Sequence, residues 1–443
     1  MKSDHLHSHS RRYALLRKII SFYHEVYYED ICVINADNIP ENEPVIFAPN
    51  HQNALMDALA IIFTTKKQIL FMARADIFKK ESIKKILTFM KIIPVYRIRD
   101  GKEALANNDE SFEIAFRSLK NNEVVGIMPE GNHGDQHRLR PLKKGFARLA
   151  MQSQELLDSS IHVKIVPVGL EYSNYQAFRG NLLIKYGTPI DVREYMDVYS
   201  ENPAKALQSL RERVAKELVS LMINIDTDDY YETIYQAKEL FSSHNKKKIA
   251  SLNEKFEMEK KLTGNLLALV EGNTSELNDL RNKLKDLELD AGQLNLKPWV
   301  LGWENPKKSM HWFSEITRYF AFLPVFAVTA LFHAVPYYAS EYFSNRAKDK
   351  QFVSSMRFLI SYIFYILWYL LMLLFPISII LKGILLITMP VLGILSFDFG
   401  DSLKKIFVKI RFVILKRQNS NALIELQKDY ANLINWLTVK SNL

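Results

Sequence analysis

The chain reads as an α/β protein: a mixed sheet flanked by helices, followed by a helical region and C-terminal transmembrane helices. Three observations predict this. Short unbroken apolar runs (VIFAP, QILFMA, KIVPVGLEY) alternate with helix-patterned stretches over roughly 180 residues. Residues 246–290 then turn rich in Lys, Glu and Leu. Finally, residues 358–381 form an uncharged run of 24 residues, and about 20 apolar residues suffice to cross a bilayer core.

Taken in order, residues 11–28 place Leu15, Ile19, Phe22 and Val26 at helical spacing. This predicts an amphipathic helix lying on the domain or on a membrane surface. DICVI is a strand, and VIFAP a strand buried on both faces. LMDALAIIF is a helix, QILFMA a strand and KKESIKKILTFM a helix. IIPVYR is a strand edge, ESFEIAFRSLKN a helix and VVGIMPEG a strand entering a loop. GFARLAMQSQE (helix), HVKIVPVGLEY (strand) and LLIKYGTPI complete the alternation, which favours a largely parallel sheet. Beyond 200, PAKALQSLRERVAKELVSL and YYETIYQAKELF are amphipathic helices. Leu277, Leu280, Leu284 and Leu287 form a heptad-like seam, and EGNTS at 271–275 suggests a helical hairpin. Residues 321–338 are apolar but carry Pro324, His333 and Pro336; residues 384–397 are apolar and short. Two crossings with one interfacial segment keep the basic tail (Lys404, Lys405, Lys409, Arg411, Lys416, Arg417) cytoplasmic. The expected divisions are 1–30, an N-terminal amphipathic helix; 31–215, the α/β domain; 216–300, the helical region with its hairpin; 313–400, the membrane segments; and 401–443, a basic cytoplasmic tail.

Composition narrows the function classes. The net charge of +9 is carried by scattered basic residues with no nucleic-acid motif, which points to a membrane surface or an anionic substrate. The single cysteine, Cys32, excludes an intrachain disulfide and a cysteine zinc cluster. A reducing, cytosol-facing compartment is expected. The polar N-terminus lacks a signal-peptide core, and its His5, His7 and His9 read as a solvated tail.

The chemistry concentrates at strand ends. PVIFAPNHQNALMD delivers His51 to a loop with Asp57 downstream. A carboxylate there fixes the imidazole tautomer and stabilises its charged form. Six positions along a regular helix turn through about 600°, so the two meet only if His51 is in the loop and Asp57 at a helix start. Arg97 ends the IIPVY strand and offers a planar fork for phosphate, with Arg99 and Lys102 close behind. Glu130 and Gly131 follow another strand, the glycine allowing close backbone approach with its N–H free for a ligand. His133 and Asp135 lie beside them. Pro167 interrupts an apolar strand and suits a pocket wall.

In this order NHQNALMD, IPVYR, MPEGN and IVPV resemble the four blocks of the glycerolipid (phospholipid and glycerol-phosphate) acyltransferase family. The resemblance covers residues 30–215. Five residues separate His51 from Asp57 where the usual block has four, as in a subset of eukaryotic-like glycerol-phosphate acyltransferases. Asn132-His133 stands where Thr-Arg is usual, removing a cation near the acceptor phosphate. The resemblance implies no metal and no cofactor, with an acyl-CoA or acyl-carrier-protein thioester as co-substrate. It also implies membrane lipid as partner and a catalytic domain facing the cytoplasm. His51 and Asp57 would be catalytic; Asn50, Arg97, Glu130 and Gly131 would bind substrate; Pro167 would line the acyl pocket. The expected reaction is transfer to the hydroxyl of lysophosphatidate or glycerol 3-phosphate. The alternatives are another lyso-lipid acceptor or a non-catalytic, membrane-tethered lipid-binding scaffold.

Overall fold

The computed structural model describes residues 11–96, 108–134, 136–158, 160–246, 248–303, 309–347 and 349–441. Arg97, Arg99, Lys102, Asp135, His5, His7 and His9 lie outside them. Two compact units are present: Met1–Asn224 together with Asp349–Ser355, and Ile225–Lys348 together with Met356–Leu443.

The first unit is an eight-stranded mixed sheet. Its elements are α1 (Arg11–Tyr27), β1 (Asp30–Ile34), β2 (Val45–Pro49), α2 (Leu55–Thr64), β3 (Ile69–Arg74), α3 (Glu81–Phe89), β4 (Ile92–Val95), α4 (Asn108–Lys120), β5 (Val124–Ile127), α5 (Lys144–Leu156), β6 (Lys164–Tyr172), β7 (Asn181–Tyr186), β8 (Ile190–Asp191), α6 (Met196–Glu201) and α7 (Pro203–Leu221). The strand order is β1-β7-β6-β2-β5-β3-β4, with β8 on β6. Only β7 and β8 run antiparallel to β6; every other pairing is parallel.

The sequence explains the centre of this sheet. All five residues of β2 are buried, as a strand covered on both faces requires. Ile46 and Ala48 enter a core with Phe146, Leu149, Leu210 and Val214 from α5 and α7. Phe47 points the other way, its ring 5.7 Å from that of Tyr186. Because β2, β3, β4 and β5 are parallel neighbours, their C-terminal ends open on one edge, where open α/β sheets place ligands. The segments after Pro49, Arg74, Val95 and Ile127 all leave from that edge.

Two details differ from expectation. In α1, Tyr13, His24 and Tyr27 are buried, while Leu15, Ile19 and Phe22 are turned outward; the polar-tipped rings dock and the wholly apolar side chains stay open. The boundary expected at 215 falls inside α7, and the unit runs to Asn224.

The second unit is helical. It contains α8 (Tyr231–Asn245), α9 (Leu252–Gly272), α10 (Thr274–Gln293), α11 (Ser309–Ser344), α12 (Val353–Met372, from Met356 onward), α13 (Ile379–Arg417) and α14 (Asn421–Ser441). α9 and α10 fold back at Asn273, and the seam leucines 277, 280, 284 and 287 are buried. α14 buries Leu426, Leu433 and Leu437 and joins the hairpin by Asn265 Nδ2 donating to the Lys440 carbonyl (2.7 Å) and by a Lys440–Glu276 ion pair (2.6 Å). The division expected at 400 therefore falls inside α13, and residues 421–441 are a packed helix. Among the described residues, three helices are long and apolar enough to cross a membrane: Tyr319–Ser344, Lys350–Met372 and Ile379–Arg417. The run 358–381 is not one helix. It breaks after Met372, just before Pro376, which disfavours α geometry in the residue before it and cannot donate to the preceding turn. Ser378 caps the restart by accepting from the Leu381 N–H.

Candidate active site

The loop after β2 carries the expected pair. His51 Nδ1 lies 2.8 Å from Asp57 Oδ2, with Asp57 in the first turn of α2. The same oxygen accepts the N–H of Gln52 (2.9 Å) and of Asn53 (2.7 Å). The other carboxylate oxygen accepts the Tyr172 hydroxyl at 2.8 Å. Asp57 is fully buried, and four donors meet its charge there. Asp57 thereby fixes Nδ1 as the protonated nitrogen of neutral His51 and leaves Nε2 to act as a base. Burial drives the Tyr172 hydroxyl well above its usual range, so it stays a donor.

The β5 loop closes on this pair. Glu130 Oε1 accepts the His51 N–H (2.6 Å), and Oε2 accepts the Arg140 N–H (3.0 Å). The His51 carbonyl in turn accepts the Gly134 N–H at 3.0 Å. Burial pushes the Glu130 carboxyl up to about 8, against the pull of its two backbone donors. Gly131 adopts φ +67°, a backbone region costly for side-chain-bearing residues. A Cβ there would also meet Lys143 Cγ at 3.0 Å.

Among the described residues, the other expected site residues make contacts within the protein. Both ends of the Asn50 side chain bond the backbone of Leu170, Nδ2 to its carbonyl (3.1 Å) and Oδ1 from its N–H (2.7 Å). That side chain ties the end of β2 to β6. The Gly131 N–H is likewise engaged, donating to the Met128 carbonyl at 3.1 Å. Glu130 spends its oxygens on loop backbone, which makes it a brace. Pro167 is buried inside β6 in register with Ala48. The residue carrying the expected phosphate fork, Arg97, is outside the described residues.

Residues that sequence reading missed stand close by. Arg74, at the end of β3, donates to Asn132 Oδ1 (2.9 Å) and pairs with Asp76. Its signal was available: an apolar strand ending in Arg is the feature that singled out Arg97. A Cβ on Gly134 would lie 3.4 Å from the Arg140 guanidinium, so that cation also flanks the loop. His133 is 2 % exposed, its ring 5.3 Å edge-on from that of His51. Neither of its ring nitrogens has a hydrogen-bond partner among the described residues. Burial first, then the neighbouring His51, lowers its pKa to about 4. It is therefore neutral at pH 7 and no substitute for a missing cation. No cluster of His, Cys, Asp or Glu fit to hold a metal occurs among the described residues.

Residues 30–171 match the family model described as Acyltransferase. Glycerol-3-phosphate O-acyltransferase 2 of Saccharomyces cerevisiae is 32% identical over 136 residues, 30% of this chain and 18% of that protein. The 1-acyl-sn-glycerol-3-phosphate acyltransferase of Borreliella burgdorferi is 27% identical over 198 residues, 44% of this chain and 73% of that protein. The crystal structure of the 1-acyl-sn-glycerophosphate (LPA) acyltransferase from Thermotoga maritima aligns with 48% of this chain and 82% of that one, at 18% identity and a TM-score of 0.34. The match spans less than a fifth of the yeast relative's length. The chain carries an acyltransferase-family domain.

Proposed function

We propose that the protein is a membrane-anchored acyltransferase. It moves a fatty acyl group from an acyl thioester (of coenzyme A or acyl carrier protein) to a hydroxyl of glycerol 3-phosphate or lysophosphatidate. The observation that carries this is the His51–Asp57 pair at 2.8 Å, beside the C-terminal ends of the sheet's parallel strands, where open α/β sheets place ligands. Similarity to proteins named for these two acceptors supports the substrate class.

In this reading His51 Nε2 takes the proton from the acceptor hydroxyl as its oxygen attacks the thioester carbonyl. Asp57 holds the ring and stabilises the imidazolium. The tetrahedral intermediate collapses, the C–S bond breaks, and the thiolate takes the proton back from His51. No covalent enzyme intermediate is needed. Arg74, Arg140 and Arg97 are the cations proposed for the acceptor phosphate. Pro167 is proposed to shape the acyl pocket. The three apolar helices would hold the site at the lipid surface, with the catalytic unit on the cytoplasmic face.

A second reading keeps the chemistry and changes the acceptor to a lyso-lipid without phosphate. It is favoured by the charge of Arg74 being met by Asp76 and by the neutrality of His133.

The test is transfer of labelled acyl groups by detergent-solubilised protein. Glycerol 3-phosphate, lysophosphatidate and a neutral lyso-lipid are offered separately, with His51→Ala alongside. Labelled product that disappears in the variant is expected. Wild-type rates in folded His51→Ala would remove the mechanism, and product from the neutral acceptor alone would select the second reading.

A further inference from the structure

The catalytic unit includes seven residues far along the chain, Asp349–Ser355. They link α11 to α12, and Val353 to Ser355 open α12. A short turn, Lys350–Phe352, is capped by the Asp349 side chain accepting the Gln351 N–H at 3.1 Å. The Phe352 ring sits edge-on to His133, with centroids 4.5 Å apart. The Ser354 hydroxyl donates to Asn53 Oδ1. Ser355 Oγ accepts the Leu55 N–H at 3.1 Å, across 300 residues of sequence. Both serines are nearly inaccessible to solvent, at 3 % and 4 % exposure.

Those two contacts fall where the catalytic loop lacks support of its own. Leu55 opens α2, and the first N–H groups of a helix have no partner within it. A Ser, Thr, Asp or Asn just before the helix usually supplies an acceptor. Here that residue is Ala54, which has no side-chain oxygen and sits at φ +46°. Ser355 supplies the acceptor in its place. Asn53 gives its backbone N–H to Asp57 while its side chain is held from two sides, by Ser354 and by the Tyr175 carbonyl (3.1 Å). The aim of Asp57 at His51 depends on where α2 begins and on how Asn53 is held.

We propose that Ser354 and Ser355 are positioning residues for the His51–Asp57 pair, so that the link between two apolar helices is a working part of the active site. The inference rests on the catalytic reading of that pair. Geometric errors of about 1 Å in such constellations cost on the order of 100-fold in rate, so the effect belongs in kcat.

The experiment uses the full chain in detergent. Ser354→Ala and Ser355→Ala are expected to lower kcat roughly 10-fold each, and the double variant about 100-fold, with KM for thioester and acceptor unchanged. Ser354→Thr and Ser355→Thr keep the hydroxyl and retain most of the rate. Lys350→Ala, an exposed change in the same link, is silent. Hydrogen exchange of the peptide spanning 50–60 reads the same contact without turnover: the double variant is expected to exchange at least about 10-fold faster there. Unchanged exchange at 50–60 overturns the proposal whatever the activity. Unchanged kcat in the double variant of an active enzyme overturns it too. A wild type without acyl transfer would sink the functional reading alone, since exchange still reports the contact.

Discussion

The catalytic loop and the apolar helices solve opposite problems. Around His51 the molecule buries polar groups: Asn50, Gln52, Asn53, Asp57 and Glu130 are nearly inaccessible, and each is hydrogen-bonded. Along α11 to α13 it exposes apolar ones, with Leu331, Ile379 and Ile387 each three-quarters or more open. Some of the polar groups those helices carry pair with one another inside the bundle. The Thr329 hydroxyl meets Ser396, and His333 Nε2 meets the Tyr369 hydroxyl at 2.8 Å. Burying the first set costs desolvation that its hydrogen bonds offset, whereas an open apolar face like the second suits hydrocarbon and not water. The two regions thus follow different solvent logic.

The sharpest way to break this comparison is at its polar centre. Asp57→Asn is expected to lower kcat by about 10³–10⁴-fold, since the amide no longer fixes the His51 tautomer. Thioester consumption measures it, and a loss under tenfold would mean Asp57 is only a structural anchor. The next effect comes from Glu130. Its folded pKa of about 8 lies above its ordinary 4.5, so the neutral form is the one the fold favours. The associated stability is full below pH 4.5 and lost as pH rises through about 8, a change on the order of 5 kcal/mol at most. Melting midpoints of the wild type should fall across that window, while those of Glu130→Gln stay level. Parallel profiles would assign the loss to other groups. Turning to the apolar surface, Ile387→Arg puts a charge into the most apolar span, at about 2.5–3.5 kcal/mol. Recovery in the membrane fraction should drop, whereas Ile86→Arg, also open on α3 of the first unit, should leave fold stability within about 0.5 kcal/mol. Equal outcomes for the two would erase the distinction between the solvents. Smallest is Gly131→Ala, which forces a side chain into φ +67° beside Lys143 for about 1–2 kcal/mol. The urea midpoint reads it.

Much of this was legible in the chain because the signals were local. Strand and helix alternation followed from runs of a few residues, and the His51–Asp57 geometry from one short segment. Partners distant in sequence were not legible. Tyr172 reaches Asp57 across 115 residues and Ser355 reaches Leu55 across 300; no periodicity announces either. Asn50 and Gly131 were placed at the substrate because their residue types suit it, but sequence does not say which partner a donor will choose. The break at Pro376 was visible in the residue itself and was overridden by counting apolar length.

The sheet order also sets a timetable for the newborn chain. β1 leaves the ribosome well before its neighbour in the sheet, β7, Asp30 pairing with Asn181. At about 5–20 residues per second, that partner arrives roughly 8–30 s later. Until then β1 has no sheet neighbour to pair with. The N–H of Leu55 waits longer still, until Ser355 has been translated with the first apolar helix already made. The last hydrogen bond to the His51 loop would then be made in the same stretch of synthesis as the apolar helices.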